Sequence, residues 1–130
     1  MLHNLLMLAE RERQLQGFSE IKKGPNLDHT LTFTQLLDRQ FTHQKAVRQY
    51  ALQMGITERR LQQATSAALG KTPKQLVEER VLLEAKRLLA HTSESVKEIG
   101  FELGFEEPTN FGRFFRLNVG QTPTEFRQSF

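Results

Sequence analysis

One spacing pattern runs through most of this 130-residue chain. Gly70, Thr72, Pro73 and Leu76 return fifty residues later as Gly120, Thr122, Pro123 and Phe126. Upstream of them, Val47, Ala51, Gly55 and Ile56 return forty-nine residues later as Val96, Gly100, Gly104 and Phe105. The one-residue slip falls between the two blocks, where Glu106 or Glu107 is extra. Self-similarity at a fixed period marks one supersecondary unit used twice. Each copy sets a small residue and then a glycine turn between two amphipathic segments, which is the grammar of a helix-turn-helix.

The helical period supplies the elements. Leu36, Leu37, Gln40 and Phe41 predict a helix near Thr34–His43, and Val47, Tyr50 and Ala51 another over Ala46–Met54, broken by Gly55. Thr57 is a good N-cap for a third helix to about Ala68, with Leu61, Ala64 and Leu69 inward, and Gly70 ends it where a left-handed residue is needed. Thr72-Pro73-Lys74-Gln75 reads as a capping box with proline at the first helical position, opening a long connector to about Ala90. Its apolar residues, from Leu76 and Val77 to Leu88 and Leu89, are too many for one narrow stripe, so it packs on two sides. Ser95-Val96-Lys97-Glu98 is a second capping box, before a short helix with Val96, Ile99 and Leu103 inward. Pro108 starts a helix through about Asn118 with Phe111, Phe114 and Phe115 as its apolar bulk, and Thr122-Pro123-Thr124-Glu125 opens a last short helix.

The expected fold class is all-α: two tandem helix-turn-helix subdomains joined by a long connector helix and preceded by a separate N-terminal helix. The expected units are residues 33–72 and 92–130, with the connector over 73–90. Residues 1–32 read as an N-terminal helix followed by a linker, because Gly17, Gly24, Pro25, Asn26 and Asp28 show no sustained period. Within that helix Leu2, Leu5, Leu6 and Ala9 form a stripe, which suits packing on the rest of the chain or a homodimer, with disorder in isolation as the remaining reading. The apolar run Met1–Ala9 lacks a basic leader and meets Glu10, Arg11, Glu12 and Arg13 at once, so it is neither a signal peptide nor a membrane span. The expectation is a soluble, cytoplasmic chain.

Composition removes several functions. With no cysteine there is neither a disulfide framework nor a thiolate metal site. His3, His29, His43 and His91 have no ligand spacing, and the sequence holds no HExxH, phosphate-binding glycine loop or GxSxG. No catalytic residue, metal or cofactor is expected. Glu106 and Glu107 suit the start of a helix, where negative charge meets the positive end of the dipole. Net charge is only +3, and from Val47 to Phe130 twelve Lys/Arg face ten Asp/Glu, so a polyanion partner must be argued from where the charges sit.

They sit on the outer faces of the third helix of each unit. If Leu61 and Ala64 point inward, Glu58, Arg59, Gln62 and Gln63 point out; if Phe111, Phe114 and Phe115 point inward, Thr109, Asn110, Gly112, Arg113 and Arg116 are available. Arginine pairs well with guanine and glutamine with adenine in the major groove of DNA. Those faces read equally well as solvated surface when taken alone.

The run SVKEIGFELGFEEPTNFGRFFRLNVGQTPTEFR closely resembles the C-terminal signature of AraC/XylS-type transcriptional regulators. The elements that match are Ile99, Gly104, Phe105, Glu106, Phe111, Arg113, Phe115, Gly120, Thr122, Pro123, Phe126 and Arg127, and the first unit with Arg80, Ala85 and Leu88 fits as well. The resemblance covers roughly residues 33–130. It implies double-stranded DNA as the partner, and RNA polymerase as a further one, with two recognition helices in successive major grooves about one turn (~10 bp) apart. It implies base contacts for Arg59, Gln62, Gln63, Thr109, Asn110 and Arg113. Phosphate contacts are expected of Arg60, Lys71, Lys97, Arg116 and Gln121. Arg80 is implied to brace the two units from the connector. Family members usually carry a sensor domain upstream, and MLHNLLMLAERERQLQ resembles its tail, where a dimer-forming helix is often placed; this chain reads as a short form or a piece of a longer regulator.

The rival reading is a helical protein-interaction module that keeps the fold and has lost DNA reading, a reading that the low net charge favours and the polar outer faces oppose.

Overall fold

In a computed structural model, which describes residues 24–130, every regular element is a helix. In chain order these are α1 (Pro25–Gln40), α2 (Val47–Met54), α3 (Glu58–Leu69), α4 (Pro73–His91), α5 (Val96–Glu102), α6 (Pro108–Val119) and α7 (Pro123–Gln128). The expected N-terminal helix and its Leu2, Leu5, Leu6 and Ala9 stripe lie outside the described residues.

The helix ends follow local chemistry. The Thr57 hydroxyl accepts from the Arg60 amide at 3.0 Å and so caps α3. Thr72 and Gln75 close a reciprocal box at the start of α4, with bonds of 3.1 and 2.9 Å. Thr122 and Glu125 do the same for α7, at 3.1 and 3.0 Å. The Thr122 amide bonded to Glu125 holds that carboxyl below its ordinary range. Ser95 makes the forward half of such a box, accepting from the Glu98 amide at 3.0 Å. Gly55, Gly70 and Gly120 end α2, α3 and α6 with φ of 70°, 67° and 84°, a left-handed region that costs a side-chain-bearing residue dearly.

One boundary departs from the sequence reading. The first helix begins at Pro25 instead of near Thr34, so residues 25–32, expected as linker, are helical. Leu27, Thr30, Phe33, Thr34, Leu37 and Phe41 are all buried, at helical spacing. Two of the six are threonines, and that hid the period. Each returns its hydroxyl to the helix itself: Thr30 Oγ1 donates to Asn26 O at 2.8 Å and Thr34 Oγ1 to Leu31 O at 3.0 Å. A hydroxyl satisfied this way can enter a core without a large desolvation penalty.

The chain divides into two units. One holds the residues up to Leu36 together with Ala46–Leu76; the other holds Leu37–Lys45 with Val77–Phe130. The division falls inside α1 and inside α4, so most of α4 belongs to the second unit. The first unit's interior is built from Leu27, Phe33, Tyr50, Ala51, Leu61, Ala64 and Ala68. Phe33 meets the Tyr50 ring edge-on, centroids 5.4 Å apart. Burial pushes the Tyr50 phenol up to about 12.

The second unit's interior is aromatic. Phe111 and Phe115 are fully buried beside Ile99 and Leu103, and a chain of rings runs Phe105, Phe111, Phe115, Phe126, Phe130 at centroid separations of 5.0–6.0 Å. Gly100 lets α5 approach α6, since a Cβ there would stand 3.2 Å from Phe111 Cβ. Arg80 bonds Asp38 at 3.0 Å and lies over the Phe41 ring at 4.1 Å. Asp38, Phe41 and Arg80 all belong to the second unit, so this contact ties the end of α1 to α4 within it. Arg127 gathers carbonyls at the end of α4 and beyond: Nε donates to Leu89 O at 2.9 Å and Nη1 to Glu94 O at 2.5 Å. A guanidinium is suited to this because its donors form a fixed fork.

Candidate nucleic-acid interface

In the first unit α3 buries Leu61, Ala64, Thr65 and Ala68. The sequence reading had Leu69 inward; it is half-buried, and Thr65 and Ala68 take the interior positions. The helix phase then leaves Arg59, Gln62, Gln63 and Ser66 on the far side, at spacing i, i+3, i+4, i+7, and all four are exposed. In the second unit α6 buries Phe111 and Phe115. The residues one repeat further on from the α3 stripe are Thr109, Gly112, Arg113 and Arg116, and Thr109, Arg113 and Arg116 are exposed. Each unit therefore presents one polar stripe on a twelve-residue helix.

Of the six residues expected at bases, Arg59, Gln62, Gln63, Thr109 and Arg113 fall on these stripes. Asn110 is exposed but stands beside its stripe, at the position that Arg60 occupies in α3. Ser66 lies on the first stripe and was missed; the spacing from Arg59 carried the signal, since seven residues is two helical turns.

The residues expected at phosphates are more scattered. Arg60 is half-buried and its Nη1 donates to Asn26 Oδ1 at 2.7 Å, which fixes the guanidinium and leaves further N–H donors on it. Lys71 is half-buried, whereas Lys97, Arg116 and Gln121 are exposed. Lys97 Nζ stands 6.0 Å from the centre of the Phe101 ring. The Asn26 partner of Arg60 had no sequence signal, because 34 residues separate the two.

The two stripes start differently. Thr57 caps α3 through its side chain, while Glu107 at the N-cap of α6 makes no side-chain cap bond and Pro108 follows it. The turn before α6 is held from elsewhere in its unit. Gly104 has φ +92°, and a Cβ on it would collide with Thr42 O. Lys45 Nζ donates to Leu103 O and stands 5.1 Å from the Phe105 ring centre. Burial lowers the Lys45 pKa from its ordinary value.

Two other kinds of site are absent from the described residues. No group of three histidine, cysteine, aspartate or glutamate residues is placed to hold a metal ion. No described helix is long and apolar enough to cross a membrane.

Two helix-turn-helix units, each with a capped helix, a glycine turn and an exposed polar stripe, match a known family. Residues 50–129 match the family model described as "Helix-turn-helix domain". The chain belongs to the AraC-type helix-turn-helix family. It is similar to the HTH-type transcriptional activator RhaS of Escherichia fergusonii, at 35% identity over 79 residues, which is 61% of this chain and 27% of the relative. With RhaS of Salmonella arizonae the identity is 26% over 124 residues, 95% of this chain and 43% of the relative. The chain thus spans about a quarter of the length of the curated relatives it first matches. Among solved structures it resembles an AraC-type transcriptional regulator from Chromobacterium violaceum, with a TM-score of 0.68 and 26% identity over 78% of this chain and 90% of that one. The fold is also that of the DNA-binding domain of AdpA, solved with a target DNA, with a TM-score of 0.67 and 24% identity over 75% of this chain and 87% of that one.

Proposed function

We propose that this chain binds double-stranded DNA with sequence specificity and regulates transcription, each unit laying its recognition helix in a major groove so that the two read successive stretches of one duplex. The observation that carries this is the matched pair of stripes, Arg59-Gln62-Gln63-Ser66 on α3, all exposed, and Thr109-Gly112-Arg113-Arg116 on α6, exposed at all but Gly112. A helix that enters the major groove reads base edges with side chains of these types. Arg59, Gln62, Gln63, Thr109, Asn110 and Arg113 take the base edges in this reading. Arg60, Lys71, Lys97, Arg116 and Gln121 take the phosphates. Because the units are in tandem, the site is asymmetric.

The relatives named as transcriptional activators support RNA polymerase as a second partner. The double helix-turn-helix begins with α1 at Pro25, and in this reading the Leu2, Leu5, Leu6 and Ala9 stripe upstream of it pairs two copies. Such a regulator works in the cytoplasm, where a bacterial chromosome lies, and neither catalysis nor a cofactor enters the reading.

A second reading has an observation of its own. Leu117 on α6 is 79% exposed and Phe130 is 76% exposed, as a helical protein-interaction module would have them. Salt separates the two. Four cations on phosphates give a slope of log K against log salt of roughly −4. Binding of labelled duplexes across a salt series should show that slope; a flat response, or no duplex binding, would favour the interaction module.

A further inference from the structure

Glycine in the interior of a helix weakens it relative to alanine, so a fold that keeps one there usually has a use for it. Two uses are internal: a positive φ, or a neighbour too close for a Cβ. The other described glycines of the two units show one or the other. Gly55, Gly70, Gly104 and Gly120 have positive φ, and Gly100 has Phe111 against it. Gly112 has neither. It lies in the middle of α6, is not among the positive-φ residues, and a Cβ built on it meets nothing within 4 Å. The fold gains nothing from the missing side chain.

Its place in the repeat says what else could. Gly112 stands where α3 has Gln62, and Thr109 stands where α3 has Arg59. The first and second positions of the second stripe are therefore shortened together, whereas Arg113 and Arg116 are longer than Gln63 and Ser66, so any closer approach belongs to the N-terminal half of the helix. Side chains as short as these touch a partner only if the helix lies closer to it.

We propose that Gly112 is a clearance position, where the duplex seats directly against the backbone of α6. The N-terminal half of the helix then lies deeper in its groove than that of α3 does in its own, and Thr109 reaches its base from there. This rests on the DNA-reading proposal above. The occupant is the wall of the major groove, either a base edge or the sugar–phosphate strand that flanks it.

The test uses the full chain with Gly112→Ala and Gly112→Gln, and duplexes selected by the parent protein from a random pool. Gly112→Ala should raise Tm by a few degrees, since it improves helix propensity at a position with open space. The same variant should bind the selected duplex about tenfold more weakly, and Gly112→Gln more weakly still. A loss confined to selected duplexes identifies the base edge; an equal loss on random duplexes identifies the strand. Parent-like affinity in Gly112→Ala would overturn the proposal and leave DNA reading intact. A fall in its Tm would also overturn it, by showing that the fold itself needs the glycine. A parent protein that binds no duplex would remove both.

Discussion

The two units share the glycine that ends the third helix and the capping box that follows it, around different interiors and different helix starts. The first packs α3 with Leu61, Ala64, Thr65 and Ala68, small or medium side chains that let the helix sit close to its neighbours. The second packs α6 with Phe111 and Phe115 inside a chain of rings. Yet both helices are twelve residues long, both end on a left-handed glycine, and both turn the same stripe positions outward. Core volume can be supplied by many residue combinations, whereas a cap or a positive-φ turn accepts very few. The difference teaches that the shared placement of these helices rests on the glycine that ends each one more than on what lies beneath it.

The turn glycines test the comparison most severely. Gly104 combines a positive φ with a Cβ position that collides with the Thr42 carbonyl, whereas Gly55, its counterpart one repeat earlier, has the φ and open space. Gly104→Ala should destabilise by roughly 3 kcal/mol, and Gly55→Ala by about 1–2 kcal/mol, in urea denaturation. Equal losses would mean that the two turns are equivalent and that the packing at Thr42 is irrelevant.

Binding gives the next largest effect. Arg113→Ala should cost about 1–3 kcal/mol on a selected duplex and much less on random DNA, measured as the ratio of dissociation constants. Gln63→Ala, at the matching position of the first stripe, should cost about 1 kcal/mol, because a neutral side chain gives weaker hydrogen bonds than a guanidinium. A larger loss from Gln63→Ala would reverse the ranking of the two helices.

The interiors also differ in what they titrate. Tyr50 is the sole tyrosine, the sequence has no tryptophan, and burial raises this phenol to about 12 from an ordinary 10.0. A raised phenol favours the neutral, folded form, so its contribution is complete below pH 10 and fades as pH climbs through the folded value. Phenolate absorbance should rise late, near pH 12, and stability should fall across that window. Tyr50→Phe should remove that tyrosine-linked fall. Ionisation near the ordinary value would contradict the buried placement of this ring.

The smallest effects come from the helix starts. Thr57→Ala removes the side-chain cap of α3 and should cost about 1 kcal/mol. Glu107→Ala removes no cap bond and should stay within about 0.5 kcal/mol.

What the sequence made legible follows the same division. Thr57, Thr72, Ser95 and Thr122 were readable because a cap is a bond over three residues, and the glycines because left-handed backbone selects them. The stripes were readable because helical phase follows from a few apolar residues, though Thr65 and Ser66 escaped by being neither apolar nor charged. The start of α1 was not, because Thr30 and Thr34 carry polar labels into a core. The Lys45 bond to Leu103, the Asn26 bond to Arg60 and the Arg127 clamp span 58, 34 and at least 33 residues. No local pattern encodes pairs so distant; only the folded unit brings them together.

The measurement that bears most directly on the account is selection from random duplexes, carried out with the parent chain and with Gln63→Ala and Arg113→Ala. The account predicts a two-part asymmetric consensus in the parent, with each variant losing base preference in a different part and keeping it in the other. No consensus in the parent, or two variants that erode the same bases, would contradict it.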